Sequence, residues 1–387
     1  MIHNDLSFTL SLLGCTAAGK PLPPDDGVRW ETVYMICKSQ QVENLLAYGV
    51  LQGGYTLPAP LQEALLSSMA LLARHDARQK AVFLALCEAL LAAEADYLPL
   101  KGVELKSLYP YPDMRRMVDI DVLVRQSDYP RIRKALLRQG FRFVVESNHE
   151  YVFEMDGIQA ELHKYLIPTY NDDLYAYYGD GWRFARKREG HRYALSAEDT
   201  FVYVLTHFAK HYRDAGTGIR PLLDLWLCLE KTAPDMAYVR KEAEKLNLST
   251  FFDHTMALIS AWFDGGAWSP LLEEMTRFMM ESGSMGTASQ SAVAAAIRKE
   301  TEKPEAKWRR LFPKAEKLYQ PYPILRKSHV FLPFVWIWRL LRSAFSVRTI
   351  LRKRGERNAM QTEENMKAYR THMEKVGLDI LNGRGTK

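Results

Sequence analysis

The spacing of hydrophobic residues changes twice along this chain. Between 30 and 50 and again between 60 and 94, apolar residues recur every three or four positions, which predicts amphipathic helices. From Tyr97 to about residue 165 the period falls to two, which is typical of strands. The helical period returns after residue 180, where Ser196 and the acids that follow it form an N-cap sequence. The pattern therefore predicts an α+β unit between helical lobes.

Within the central unit, the alternating runs predict a strand, a helix, a second strand and a second helix, followed by antiparallel strands. The expected strands are 97–100, 118–124, 141–145, 151–155 and 158–165, and the expected helices are 103–108 and 128–139. We expect four segments along the chain: an N-terminal helical lobe (1–95), an α+β domain with a small mixed sheet (96–180), a helical bundle (181–300) and a basic helical C-terminal region (301–387).

Candidate chemistry is concentrated in the α+β unit. Asp119 and Asp121 occupy the predicted strand Val-Asp-Ile-Asp-Val-Leu-Val, and strand alternation should place both carboxylates on one face. Acids held so close repel each other, and their oxygen atoms suit magnesium. Glu161 and His163 share a face of the last strand by the same alternation. These carboxylates together predict a site for divalent ions and a nucleoside triphosphate.

The turn after the first strand contains Lys101 and Gly102, ahead of a short predicted helix. Backbone N–H groups at a helix N-terminus suit a phosphate. A glycine at the end of a strand can also be there for steric reasons alone. In the helical bundle, His207 and His211 share a helix face. Zinc binding by this pair is disfavoured, because the sequence lacks a His-Glu-x-x-His motif and a third ligand.

The order of these motifs resembles the bacterial uncharacterised nucleotidyltransferases, a group within the DNA polymerase β-type superfamily. The resemblance rests on segments spread over most of the chain: Leu-Lys-Gly at 100–102, Arg115 ahead of Asp119, Glu-Leu-His at 161–163, Leu-Thr-His ending at His207, and Ile-Arg-Pro-Leu-Leu-Asp at 219–224. It implies Mg²⁺-dependent transfer of a nucleoside monophosphate from a nucleoside triphosphate to an acceptor hydroxyl, with release of pyrophosphate. The acceptor could be a small molecule, a protein or an RNA.

The resemblance also implies roles for individual residues. Asp119, Asp121 and Glu161 would hold two Mg²⁺ ions, with Mn²⁺ as an alternative, and Glu161 would help to deprotonate the acceptor. The residues implied to bind substrate or phosphate are Lys101, Gly102, Arg115, Arg116, His163, His207, Lys210, His211 and Arg220. For His163, a purely structural hydrogen bond is an equal alternative. Arg115 and Arg116 could instead lie in a solvated loop. The residues of the helical bundle could instead pack between lobes. Arg220 and Asp224, four apart, are expected to form an ion pair.

This chain departs from the superfamily pattern at the phosphate-binding turn. Val103 stands where a small or hydroxylated residue is expected, and 16 residues separate Gly102 from Asp119. Lys101, Arg115 or Arg116 would therefore have to hold the phosphates. A non-catalytic nucleotide-binding or regulatory protein with the same fold is the main alternative to an enzyme.

Composition adds the cellular context. The chain has 387 residues, 47% hydrophobic and 25% charged, which is typical of soluble globular proteins. Four cysteines without Cys-x-x-Cys spacing favour neither a zinc site nor a disulfide framework, and fit a reducing cytoplasm. No signal peptide or transmembrane segment is expected, since the longest apolar run, 330–341, is broken by Arg339.

Charge is concentrated near the C-terminus. Residues 303–357 contain 15 Lys and Arg against three acids, although the whole chain has a net charge of only +6. Such a region could face RNA, nucleotide phosphates or an anionic lipid surface, or could be a solvated helical surface. The aromatic and basic run around 336–342 fits a membrane-surface helix, an RNA platform or, as we favour, a helix that caps a core. An RNA- or membrane-associated binding module is therefore a further alternative function.

Overall fold

The computed structural model describes residues 4–284, 286–301, 308, 311–313, 315–318, 322–326, 328–345 and 363–378. The helices within these residues are α1 (Asn4–Ala18), α2 (Trp30–Ser39), α3 (Glu43–Gly53), α4 (Ala59–Ala92), α5 (Gly102–Leu105), α6 (Tyr129–Arg138), α7 (Asp172–Tyr178), α8 (Ala197–Asp214), α9 (Arg220–Thr232), α10 (Met236–Lys245), α11 (Ser249–Phe263), α12 (Pro270–Ser282), α13 (Ala288–Thr301), α14 (Leu332–Phe345) and α15 (Glu363–Val376).

The described residues also form one five-stranded sheet, one small hairpin and several short 3-10 helices. Their strands are β1 (Tyr97–Pro99), β2 (Ile120–Val124), β3 (Arg142–Glu146), β4 (Glu150–Met155), β5 (Ile158–His163), β6 (Arg186–Lys187) and β7 (Tyr193–Ala194). The sheet order is β1-β2-β5-β4-β3. The pair β2–β5 is parallel and the other pairs are antiparallel. The predicted α+β fold with a small mixed sheet is confirmed.

Strand alternation gives the sheet two different faces. One face carries Ile120, Val122 and Leu162, all fully buried, and packs against the α4 residues Leu86 and Leu90. Burying each such side chain stabilises the fold by about 1.5–3 kcal/mol. The residues between them in β2 and β5 point to the opposite face, so the packing of α4 determines which side of the sheet is left for polar residues.

Helices from both ends of the chain share a second core. Leu12 and Leu13 of α1 are buried in the same cluster as Phe201 of α8 and Trp226 of α9. The helix α8 begins where the sequence predicts it, because the Ser196 hydroxyl accepts a hydrogen bond of 3.0 Å from the N–H of Asp199. The division of the chain into four segments stays a prediction.

The structure differs from the sequence predictions in several elements. The first helix of the N-terminal lobe, α1, is buried on most sides, so it has little amphipathic period. Residues 282–296 are mostly small and polar, which predicts a loop, but α13 begins within them at Ala288. The strand β2 begins at Ile120, so Asp119 precedes it. The elements α7, β6, β7 and α12 were not expected.

The C-terminal region is described only in part. The sequence from residue 356 onwards predicts a polar helix that frays, but α15 buries Met373 and Val376 in the helical core. Much of the basic stretch 303–357, including 346–357, lies outside the described residues. Among the described residues, no helix combines the length and the apolar character needed to cross a bilayer.

Candidate active site

Two carboxylates come from neighbouring parallel strands and share one face of the sheet. Asp121 in β2 is in register with Glu161 in β5. Asp119, one residue before β2, is half-buried and lines the same cavity as Asp121. The alternation of the two strands thus brings together the three acids that the sequence selected.

The charge of this group is only partly balanced. Burial, and then the charges of Asp119, Asp121 and Glu150, raise the pKa of Glu161 to about 8. Burial and the charge of Asp121 also raise the pKa of Asp119. The contribution of the neighbouring charges to both shifts indicates that ionised carboxylates repel each other here. A divalent cation would relieve that repulsion.

Asp121 is the exception among the three acids, because it has two partners. Lys101 Nζ donates a hydrogen bond of 3.0 Å to Asp121 Oδ1, and His163 Nε2 lies 2.5 Å from the same oxygen. Burial raises the pKa of Asp121, but Lys101 and His163 outweigh it and hold this pKa well below its usual value. Asp121 is therefore ionised and oriented by the protein itself.

The turn that carries Lys101 is conformationally unusual. Lys101 has φ +43° and ψ −111° at the N-cap of α5, a conformation rare for a side-chain-bearing residue. Gly102 follows without space for a side chain: a Cβ there would clash with Met117 and lie 3.0 Å from a guanidinium nitrogen of Arg115. Gly102 is thus required sterically, whether or not it also binds phosphate.

His163 links the acids to a second group of polar residues that the sequence reading missed. Its Nδ1 lies 2.9 Å from Nε2 of His149, in the turn before β4. If a neutral His163 donates from Nε2 to Asp121, its Nδ1 accepts from His149, whereas a protonated His163 would donate to both. The remaining His149 Nδ1 is buried without a partner among the described residues. Glu150, in register with His163, has an oxygen 3.9 Å from the same Nδ1.

A cavity of about 270 Å³ lies between the edge of the sheet and the helices α8 and α9. Eight of the predicted site residues line it: Lys101, Gly102, Arg115, Asp119, Asp121, His207, His211 and Arg220. Glu161 and His163 lie beside Asp121 but are not part of that lining, and neither are Arg116 and Lys210. The structure therefore brings the residues of the α+β unit and of the helical bundle to one space.

The basic residues of this cavity have partners that local spacing did not indicate. Arg115 donates from Nε and NH2 to the two oxygens of Asp224, at 2.8 Å each. The expected Arg220–Asp224 pair is replaced by this buried bidentate pair, which the Tyr109 hydroxyl completes at 2.9 Å. Arg220 donates instead to the carbonyl oxygen of Arg116, at 3.0 Å. Burial and the nearby Arg115 lower the pKa of Arg220.

The helix α8 forms the wall opposite the carboxylates. Nε2 of His207 and Nε2 of His211 lie 3.1 Å apart. Burial, and then the positive charge of Lys210, lower the pKa of His211 to about 3. Burial and the neighbouring His211 also lower the pKa of His207 well below its usual value. Burial, with Lys101 nearby, lowers the pKa of Lys210 to about 8. Both histidines are therefore neutral near neutral pH.

Tyr203 also lines the cavity and escaped the sequence reading. Its hydroxyl is buried and has no hydrogen-bond partner among the described residues. A signal was present, since Tyr203 precedes His207 by four positions and so shares its helix face. A buried hydroxyl without a partner is costly, so this atom suits a polar group of a bound molecule.

The donor set fits a magnesium or manganese ion. One oxygen or nitrogen atom from each of Asp121, Glu161 and His163 lies within 4.8 Å of the others, and Asp119 adds a further carboxylate nearby. Carboxylate oxygens are the preferred ligands of both metals, and neither site geometry nor composition favours thiolate ligation. One possible ligand atom from each of His149, Glu150 and His163 also lies within 4.8 Å of the others.

Comparison with known proteins identifies the family. The chain matches none of the curated proteins and none of the solved structures with which it was compared. A family model described as "Uncharacterised nucleotidyltransferase" matches residues 26–264, which is well over half of the chain and includes every candidate residue above. The chain therefore belongs to this uncharacterised nucleotidyltransferase family.

Proposed function

We propose that this protein transfers a nucleoside monophosphate from a nucleoside triphosphate to an acceptor hydroxyl, with Mg²⁺ or Mn²⁺ as cofactor and pyrophosphate as leaving group. The observation that carries the proposal is the register of Asp121 with Glu161 beside Asp119. Burial and then repulsion by the neighbouring carboxylates raise the pKa of Glu161, and this repulsion favours cation binding. Membership of a nucleotidyltransferase family supports the same chemistry.

Asp119, Asp121 and Glu161 would hold the metal. Bound divalent ions supply charge neutralisation at the transferring phosphate and lower the pKa of the acceptor hydroxyl. Asp121 is already ionised and aimed by Lys101 and His163, so little reorganisation is needed there. Glu161 accepts the proton of the acceptor hydroxyl. The new bond joins the acceptor oxygen to the α-phosphorus, and the bond to the leaving pyrophosphate breaks.

The triphosphate would lie along the basic side of the cavity. Lys101 and Arg220 line it, and the half-buried Arg220 donates a hydrogen bond to a carbonyl oxygen rather than to a carboxylate. Arg115 gives two nitrogens to Asp224, which leaves one for a phosphate. Arg116 and Lys210 would add positive charge from outside the lining. These groups would replace the hydroxyl contact that Val103 does not supply.

The acceptor or the nucleoside would meet the wall formed by α8. Tyr203 offers a buried hydroxyl without a partner, and His207 and His211 offer neutral imidazoles. Neutral donors and acceptors of this kind recognise hydroxyl and amide groups by hydrogen bonds, which fits the uncharged part of a substrate.

The test is nucleotide binding measured by calorimetry, with Mg²⁺ and with EDTA. We expect the wild-type protein to bind nucleotide with Mg²⁺ but not with EDTA. Asp119→Asn and Glu161→Gln should each weaken this binding roughly tenfold or more, because each removes a metal ligand. These positions are preferable to Asp121, whose replacement would leave the half-buried Lys101 without its partner.

Glu154→Gln is the matched control, since Glu154 lies in β4 but pairs with Arg142 away from the cavity. Binding by this variant should equal that of wild type. Labelled nucleotides incubated with Mg²⁺, the protein and cell extract would then identify the acceptor and test for pyrophosphate release. The proposal would be contradicted if wild type bound nucleotide equally well with Mg²⁺ and with EDTA. It would also be contradicted if Asp119→Asn and Glu161→Gln both bound nucleotide as tightly as wild type.

A second candidate, a nucleotide-binding regulatory protein without catalysis, is favoured by one contact. Lys101 already neutralises Asp121, as a cation in a metal-free binding site would. In that case nucleotide binding should persist in EDTA and should depend on Lys101. Lys101→Met would then abolish binding under both conditions, whereas Glu161→Gln would not.

A further inference from the structure

One face of α14 is apolar and exposed to solvent. Phe334, Ile337, Trp338 and Leu341 recur with the i, i+3, i+4, i+7 spacing of a single helix face and are 68%, 56%, 58% and 47% exposed. Val330, one turn earlier, is 74% exposed. Single exposed apolar residues are normal on proteins, but a contiguous stripe of this kind marks an interaction surface. We call these five residues the apolar stripe.

The opposite face of α14 already anchors the helix. Val335 is buried with Leu318 and Leu325, and Leu332 and Trp336 pack against the same cluster. The Trp336 indole Nε1 donates a hydrogen bond of 2.9 Å to the carbonyl oxygen of Pro313. The expected role of this segment as a cap on a core is therefore performed by one face alone. The residues of the apolar stripe are not part of that cluster.

Charge indicates what covers the apolar stripe. The segment 303–357 that contains it has 15 Lys and Arg against three acids, whereas the whole chain has a net charge of +6. The remainder of the chain is therefore net negative. A second copy of this segment would bring the same positive charge and be repelled, but an anionic surface would be attracted.

The side-chain types decide between RNA and lipid. Binding to single-stranded RNA uses aromatic rings on which bases stack. Three of the five residues of the apolar stripe, Val330, Ile337 and Leu341, are aliphatic and offer no ring. An apolar helix face with tryptophan, next to Lys and Arg, is instead typical of helices that lie in the membrane interface.

We propose that α14 docks this protein on an anionic membrane surface. The apolar stripe enters the boundary between headgroups and acyl chains, and the net positive charge of the segment 303–357 attracts the anionic headgroups. The proposal does not depend on nucleotidyl transfer. The stripe also lies outside the matched family region, 26–264, so docking is an addition to the chemistry of that region.

The test is sedimentation of the full chain with vesicles of phosphatidylcholine, alone or mixed with phosphatidylglycerol. We expect binding to the mixed vesicles only, and weaker binding as salt increases. Phe334→Ser with Ile337→Ser should lower the partition coefficient roughly tenfold or more, because two apolar side chains no longer enter the lipid. Leu71→Ser is the matched control, since Leu71 is 67% exposed on α4 and should have no effect.

Several outcomes would overturn this proposal. One is wild-type protein that stays in the supernatant with phosphatidylglycerol vesicles, and another is a serine variant that binds them as well as wild type. Salt-sensitive RNA binding without vesicle binding would assign the basic segment to nucleic acid. A dimer seen by light scattering, and dissociated by the serine substitutions without any vesicle binding, would assign the stripe to a second copy.

Two further measurements keep the result interpretable. Circular dichroism and Mg²⁺-dependent nucleotide binding should be unchanged in the serine variant, which separates membrane docking from the proposed catalysis. If that variant does not fold, brominated lipid should quench the wild-type tryptophan fluorescence more than that of Trp338→Phe. Equal quenching in the two proteins would contradict insertion of the stripe.

Discussion

Glu161 is the residue on which several negative charges of the site act together. It lies in register with Asp121, and Asp119 and Glu150 add negative charge. Asp121 escapes this repulsion because Lys101 and His163 bind it directly. Two acids in adjacent strands thus have pKa values shifted in opposite directions, Glu161 upwards by burial and repulsion and Asp121 downwards by pairing. Glu161, like Asp119, has a raised pKa, so its ionised form is not fully neutralised by the surrounding protein.

Glu161→Gln should stabilise the metal-free protein at alkaline pH. The pKa of Glu161 rises from 4.5 to about 8 on folding, so the folded state binds its proton more tightly. The resulting stability is present below about pH 4.5 and is lost as the pH rises through 8. In EDTA, wild-type Tm should therefore fall across this range and the glutamine variant should fall less, with a gap on the order of 2–4 °C at the top.

Thermal melts at several pH values with EDTA measure this gap. Mg²⁺ with nucleotide should raise the Tm of wild type more than that of Glu161→Gln, because a weaker ligand stabilises the folded state less at the same concentration. Glu154→Gln serves again as the control and should follow the wild-type curve. A glutamine variant that loses stability in parallel with wild type would show that Glu161 is not the group that titrates.

The connection from β1 to α5 is the element on which the site depends most. Leu100 donates its N–H to the carbonyl oxygen of Asp121 at 2.9 Å, which ties the turn to β2. Lys101 then takes positive φ, and Gly102 packs against Met117. The turn thereby holds the Lys101 ammonium against Asp121. A change of any of these contacts should move a charge within the site.

Gly102→Ala should destabilise the protein by about 1–3 kcal/mol, because the new methyl group overpacks the Met117 side chain. Alanine in a helix would by itself gain about 0.5–1 kcal/mol, so the packing clash decides the sign. Met117→Ala in the same chain should recover about 1 kcal/mol relative to the sum of the single changes. Urea unfolding measures this coupling, and strict additivity would show that Met117 is not what Gly102 accommodates.

At the scale of the whole molecule, the site lies where the sheet meets the helical bundle. Arg115, ahead of β2, forms its buried pair with Asp224 in α9. The Arg220 guanidinium, also from α9, reaches back to the Arg116 carbonyl oxygen. Each bond joins residues more than a hundred positions apart. The shape of the cavity therefore depends on contacts between the two parts as much as on either part alone.

Breaking the buried pair should be far more costly than breaking an exposed one. Arg115→Met or Asp224→Asn leaves a buried group unpaired, which should cost about 3–5 kcal/mol. The double variant should lose less than the sum of the two single variants. Arg240→Met is the control, since Arg240 and Asp253 are each 52% exposed and the loss should be under about 1 kcal/mol. Chemical unfolding provides these values, and equal losses at the two sites would argue against a structural role for the buried pair.

Periodicity predicted much of this architecture, because it reports which faces are buried. The alternation around Asp121 and Glu161 predicted two strands with acids on one face, and the sheet has both. It could not predict the register, which depends on how β4 pairs with β5, so His149 was missed. The spacing of Arg220 and Asp224 suggested a local ion pair, but a distant residue, Arg115, took that place. Local rules fail where contacts between distant segments decide the partner.

The Lys101–Asp121 bond has a consequence for the order in which ligands enter. An ion that approaches Asp121 competes with an ammonium tethered 3.0 Å away, so a free metal ion should have low affinity for the empty protein. A polyphosphate changes that competition, because it offers Lys101 another anion and brings oxygen ligands for the metal. Under the proposed function, nucleotide and metal should therefore enter together. Lys101 would then neutralise Asp121 until the substrate binds, so that other cations do not bind to the acids.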